Sequence, residues 1–213
     1  MQFKDRHEAG IKLAEKLVKY KDDKDVVILA IPRGGVEIGY EIAKFLNAKL
    51  DIIVTKKIGL PDDEEYAIGV VGPDKKVMLN EDAISKYSIS DEYIKQKTKG
   101  IGNEIERRCK KYKGKYQLQK LNNKIVIIAD DGIATGFTTK AAINFVRLQK
   151  PKKVILAAPV SPSNFAKEIR AKVDEFICLH STERFFSISQ FYESFPQLED
   201  KEVKEYLKKA NSK

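Results

Sequence analysis

The sequence predicts an α/β fold in which a central parallel sheet is flanked by helices. Two observations carry that expectation. Short apolar runs recur at Val26–Ile31, Leu50–Thr55, Ile125–Ala129, Lys153–Val160 and Val173–Leu179. Those at 26–31 and 125–129 are unbroken and rich in Val and Ile, the pattern of strands buried on both faces. Between the runs lie stretches whose apolar residues repeat at helical spacing, and alternating strands and helices build a parallel sheet covered on both sides.

Taken in order, the first helix starts at Asp5, with Glu8 three residues on in a capping-box-like arrangement. Its packing face is Gly10, Leu13, Ala14, Leu17 and Val18, and it ends in the polar turn at 21–25. After Val26–Ile31 comes Pro32-Arg33-Gly34-Gly35, then a helix from about Val36 to Leu46 packing through Ile38, Ile42, Phe45 and Leu46. The run Leu50–Thr55 leads into Lys56-Lys57-Ile58-Gly59-Leu60-Pro61. Tyr66–Val71 and Lys75–Leu79, divided by Gly72-Pro73-Asp74, read as a hairpin. Residues 81–123 form a helical insertion. Ser90, Asp91 and Glu92 make a good helix start, and Ile94, Ile101, Ile105 and Cys109 give a narrow apolar stripe up to about Tyr112. Gly100 and Gly102 mark a bend. The insertion packs on the core or contributes to a dimer interface; both readings stay open.

Lys124–Thr139, KIVIIADDGIATGFTT, carries the chemistry. A buried strand ends in Asp130 and Asp131, a loop of small residues follows, and a helix packing through Ala141, Ala142, Phe145 and Val146 stops before Pro151. Such a loop can turn its amides inward at a helix N-terminus, where the dipole favours an anion. Gly136 allows close approach, and Thr135 and Thr138 offer hydroxyl donors. Asp130 and Asp131 can accept hydrogen bonds from sugar hydroxyls. A ribose 5-phosphate suits that set. Beyond it, Ser161 and Pro162 read as helix cap and first helical residue, and that helix runs to about Ala171. The segment 184–198 gathers four phenylalanines and Tyr192; it is a flap over the core or a hood that stacks on a planar base. Asp200 starts a last helix carrying Val203, Tyr206 and Leu207.

From Val126 to Thr138 the sequence resembles, without a break, the motif by which type I phosphoribosyltransferases bind phosphoribosyl pyrophosphate. The resemblance extends to DRHEAG near the start and FYESF near the end, and is closest to small family members whose acceptor is poorly defined. It implies the type I fold, with 1–213 as one domain and 181–213 as hood and final helix. It also implies Mg2+-dependent transfer of a phosphoribosyl group to a nitrogen acceptor, a purine-type nucleobase being favoured, with release of pyrophosphate. Asp130, Asp131, Arg33 and Lys57 are then the catalytic set. Arg33, Gly34 and Gly35 form the pyrophosphate loop, with Arg33–Gly34 the candidate for a strained or cis peptide. TKKIGLP resembles the start of the mobile loop of purine-type members, which makes Lys57, with Lys56 beside it, the second pyrophosphate contact. Gly132, Ala134, Thr135, Gly136, Phe137 and Thr138 bind the 5-phosphate. Phe185, Phe186 and Tyr192 form the base hood, and Asp130 and Asp131 hold the metal through water and the substrate. Asp131→Asn is expected to weaken turnover more than folding. Where some members place an acidic residue, this chain has Ile133, Ala134 and Phe137, which leaves activation of the acceptor unassigned. The alternative is a non-catalytic module that senses phosphoribosyl pyrophosphate.

The composition, 42% hydrophobic and 33% charged, is that of a globular chain, and no apolar run reaches membrane-spanning length. A cytoplasmic location is expected from the absence of a leader pattern. Cys109 and Cys178 stand in unrelated contexts and imply neither disulfide nor zinc site. The net charge of +9 suits a nucleic-acid surface or a highly anionic small substrate. No aromatic-interleaved basic stripe accompanies it, so the expected partners are the sugar phosphate, a small acceptor and a second copy of the chain.

Overall fold

A computed structural model describes residues 1–64, 66–114 and 119–212. Its centre is a five-stranded parallel sheet of β1 (Val26–Ala30), β2 (Lys49–Ile52), β6 (Ile125–Ala129), β7 (Lys153–Pro162) and β8 (Glu175–Thr182), in the order β2-β1-β6-β7-β8. All five residues of β1 and of β6 are buried. Successive residues of a strand face opposite ways. Accordingly Val26, Ile28, Ala30, Ile125 and Ile127 join one apolar cluster, while Val27, Leu29, Val126 and Ile128 join the other. Helices α1 (Arg6–Lys16), α2 (Gly35–Leu46) and α7 (Asp200–Asn211) supply the first cluster; α5 (Phe137–Leu148) and α6 (Ser163–Ile169) supply the second. Ile127 has no exposed surface. Ile127→Ala is expected to cost about 2–5 kcal/mol, measurable as a lowered urea midpoint.

Helix α1 starts as its sequence implies: the Asp5 carboxylate accepts the Glu8 N–H at 2.8 Å. The hairpin is also present, β4 (Ala67–Val71) pairing antiparallel with β5 (Val77–Leu79). It belongs to a separate three-stranded sheet, because Lys56–Gly59 forms β3 and pairs with β4 as well. The insertion contains α3 (Glu81–Lys86) and α4 (Asp91–Lys113), and α4 runs unbroken through Gly100 and Gly102. Its buried residues include Ile94, Ile101, Ile105 and Cys109, the stripe expected. The insertion packs on the chain's own core. Tyr93 Oη donates to the Gly59 carbonyl at 2.9 Å, and Tyr112 Oη donates to Asp200 Oδ1 at 2.7 Å.

One helix start moves. Ser161 and Pro162 continue β7, paired with Ser181 and Thr182 of β8, and α6 begins only at Ser163. The hydroxyl expected to cap a helix is instead wholly buried in the sheet. Among the described residues no helix is long and apolar enough to cross a membrane.

Candidate active site

Strands β1 and β6 are neighbours in register, Ala30 opposite Ala129, so the loops leaving their carboxyl ends lie side by side. In open α/β sheets this is where ligands bind. The two loops line a cavity of about 260 Å3 with Pro32, Arg33, Gly34, Asp130 through Thr139, and Ile188. Gly136 is the N-cap of α5 at φ 74°, where no side chain caps the helix. That left-handed backbone is strained for any residue with a Cβ, and a Cβ there would also stand 2.1 Å from the Phe165 ring. The first amides of α5 are thereby left to face the cavity, a setting suited to an anion.

The acids stand at the junction of the loops. Asp131 is buried, and its Oδ2 accepts Arg6 Nε at 2.7 Å. Asp131 N–H donates to Asp130 Oδ1 at 3.0 Å, and Tyr192 Oη donates to the Asp131 carbonyl at 2.6 Å. Burial, and then the neighbouring Asp131 charge, hold the Asp130 carboxyl well above the usual carboxylate range. Gly34 presses on the pair, for a Cβ there would fall 1.7 Å from Asp131 Oδ2. Gly35 lies behind the cavity wall, buried against the Ala129 carbonyl. The cis peptide of this loop is Pro32–Arg33, one bond ahead of the Arg33–Gly34 bond expected.

Arg33, Gly34, Asp130, Asp131, Gly132, Ala134, Thr135, Gly136, Phe137 and Thr138 thus meet in one cavity. Lys56 and Lys57 do not line it. Both lie on β3, held in antiparallel pairing with β4, and Lys56 is ion-paired with Glu104 of the insertion. The hood residues separate. Phe185 lines a neighbouring depression with Ala134, Thr135 and Asn164, and packs on Phe191 with ring centroids 5.2 Å apart. Phe186 is 90% exposed. Tyr192 is no stacking face, because its ring is buried between Phe3 and Phe195, with centroids 5.6 and 4.8 Å away.

Two residues of the site escape the sequence reading. Ile188 enters the cavity from the aromatic segment, where the phenylalanines were the more prominent signal. Arg6 opens α1 and is 5% exposed. Only tertiary structure joins it to Asp131.

Among the described residues no group of three or more His, Cys, Asp or Glu is placed to hold a metal. The donor set offered is the Asp130–Asp131 pair. Two carboxylates in one another's field fit a cation that keeps waters and takes its remaining ligands from phosphates, as Mg2+ does.

The model of the phosphoribosyl transferase domain matches residues 2–194. The chain belongs to this family. Two Mycobacterium tuberculosis proteins, from strains CDC 1551 and H37Rv and each named "Putative phosphoribosyl transferase", are 36% identical to it over 209 residues. The alignment covers 98% of this chain and 47% of theirs, so the chain spans about half the length of the curated relatives it matches. The crystal structure of TT1426 from Thermus thermophilus is similar with a TM-score of 0.84 and 30% identity, covering 97% of this chain and 98% of that one. The family and fold expected from the Val126–Thr138 motif are those found.

Proposed function

We propose that this domain transfers the phosphoribosyl group of phosphoribosyl pyrophosphate to a nitrogen acceptor, releasing pyrophosphate. The observation that carries the reading is the single cavity lined by an uncapped helix N-terminus, an acid pair and Arg33. The amides of 136–138 hold the 5-phosphate, helped by the Thr135 and Thr138 hydroxyls. Asp130 and Asp131 accept hydrogen bonds from the ribose hydroxyls. Arg33 presents its planar fork to the pyrophosphate. In the reaction the bond from ribose C1 to pyrophosphate breaks, the bond to the acceptor nitrogen forms, and the acceptor loses a proton. A loose, oxocarbenium-like transition state leaves the protein mainly positioning and charge stabilisation to supply. Bound Mg2+, held by Asp130 and Asp131 through water and substrate, would neutralise the departing pyrophosphate.

Lys57, with Lys56, completes the pyrophosphate site if the start of β3 swings over the cavity, which the resemblance of TKKIGLP to a mobile loop supports. The same resemblance favours a purine-type acceptor. Of the hood residues, Phe185 and Phe186 remain to stack on it. A cytoplasmic homodimer is the accompanying proposal.

The test is pyrophosphate release from phosphoribosyl pyrophosphate with Mg2+ against a panel of purines, pyrimidines and amines. Release that depends on one acceptor supports the reading; binding of the sugar phosphate without release against the whole panel counts against it. Arg33→Ala is expected to lower kcat/KM by about 100-fold or more, the usual consequence of removing one donor from developing charge.

A second reading, a sensor of phosphoribosyl pyrophosphate that contacts nucleic acid, has one observation in its favour. A separate groove of about 680 Å3 is lined by Lys49, Lys113, Lys120, Lys204 and Lys208. Among the described residues Lys49, Lys120, Lys204 and Lys208 make no ion pair. Salt-dependent binding of a single-stranded oligonucleotide, abolished by Lys204→Glu with Lys208→Glu, would support it.

A further inference from the structure

We propose that Arg6 is a positioning residue of the phosphoribosyl site: it fixes Asp131, and with it the geometry in which the acid pair meets the ligand. This rests on the phosphoribosyl reading above.

Arg6 is held from several sides at once. Its Nε donates to Asp131 Oδ2 at 2.7 Å, and its Nη1 donates to the Pro196 carbonyl at 2.7 Å. Its guanidinium carbon lies 3.7 Å from the centroid of the Phe195 ring. One planar fork makes all three contacts, which the point charge of a lysine does not reproduce. Asp131 is fixed in turn, with its carbonyl on Tyr192 and its Oδ2 against Gly34. A carboxylate tied this way does not swing to follow a ligand. It serves as a rigid post on which the Arg33–Gly34 loop rests and beside which Asp130 is aimed. Among the described residues Asp130 pairs with no arginine; it retains partial exposure and lines the cavity. A buried ion pair is a poor source of stability compared with apolar packing. Its occurrence beneath the acid pair therefore speaks for orientation. A displacement of about 1 Å at such a site changes function by about 100-fold.

The experiment is calorimetric titration of the full chain with ribose 5-phosphate and, separately, inorganic phosphate, both with Mg2+. Inorganic phosphate reports the loop alone, and the sugar phosphate adds the hydroxyls that the acids read. The unaltered chain should prefer ribose 5-phosphate. Arg6→Gln should lose about ten-fold or more of its affinity for the sugar phosphate while keeping its affinity for inorganic phosphate, and Arg6→Lys should recover part of the loss. Equal loss of both ligands, or loss of neither, overturns the role of Arg6. If Arg6→Gln gives no cooperative thermal transition, Arg6→Lys decides by the same selective loss. No preference for the sugar phosphate in the unaltered chain overturns the phosphoribosyl reading itself, a separate result from either failure of Arg6.

Discussion

Asp131→Asn should unfold at distinctly lower urea than the unaltered chain, with a loss of about 3 kcal/mol, the lower end of what breaking a buried ion pair costs. The substitution keeps the shape of the side chain but removes the charge opposite Arg6, whose guanidinium is 5% exposed and has no other carboxylate in contact among the described residues. The expectation from sequence put the larger loss on turnover; the Arg6 pairing adds a substantial loss in folding. Asp130→Asn is the contrasting variant. Its carboxyl is driven toward the neutral form by burial and by Asp131, which costs stability at neutral pH, so the amide should leave the urea midpoint no lower, or raise it, while weakening binding of phosphoribosyl pyrophosphate. Equal midpoints for the two variants would remove the distinction drawn between the acids.

Gly136→Val should lower affinity for phosphoribosyl pyrophosphate by about 100-fold or more, equivalent to about 2.7 kcal/mol. Two independent costs fall on that position. The backbone at φ 74° is strained for a β-branched residue, and the new Cβ would stand 2.1 Å from the Phe165 ring. Phe165 has little room to withdraw, since it is buried and packed edge-on against Phe176, with centroids 6.4 Å apart. The loop must therefore change shape, and the first amides of α5 leave the cavity. Isothermal titration measures the effect directly; an affinity within about two-fold of the unaltered chain would show that the loop tolerates another path.

What could be read from the sequence follows the range of the forces involved. The strands at 26–30 and 125–129 are legible because burial on both faces selects apolar β-branched residues, and the acid pair and small-residue loop are legible because their chemistry is local. The stripe Ile94, Ile101, Ile105 and Cys109 is legible because a helix repeats its face. Strand β3 is not, since two lysines and a glycine in four residues carry no strand pattern until β4 pairs with them. Ser161 and Pro162 look like a helix start and become strand because β8 pairs that far. Tyr192 reads as a hood because an aromatic ring in a polar segment looks the same whether it lies over a site or under it. Arg6 gives no signal of its role, because its partners lie at positions 131, 195 and 196.

That last separation bears on when the site comes into being. The segment around Phe3 is stitched to the segment around Tyr192 by backbone bonds, Phe3 N–H to the Phe191 carbonyl and Glu193 N–H to the Phe3 carbonyl, each 2.8 Å. Contacts so distant along the chain are late to close, because the intervening polymer must first be ordered. During synthesis the phosphate loop at 130–139 leaves the ribosome well before the residues that anchor Arg6 and, through it, Asp131. The acid pair is therefore oriented only once the segment at 191–196 has closed onto the first residues, long after the residues of the loop itself have been made.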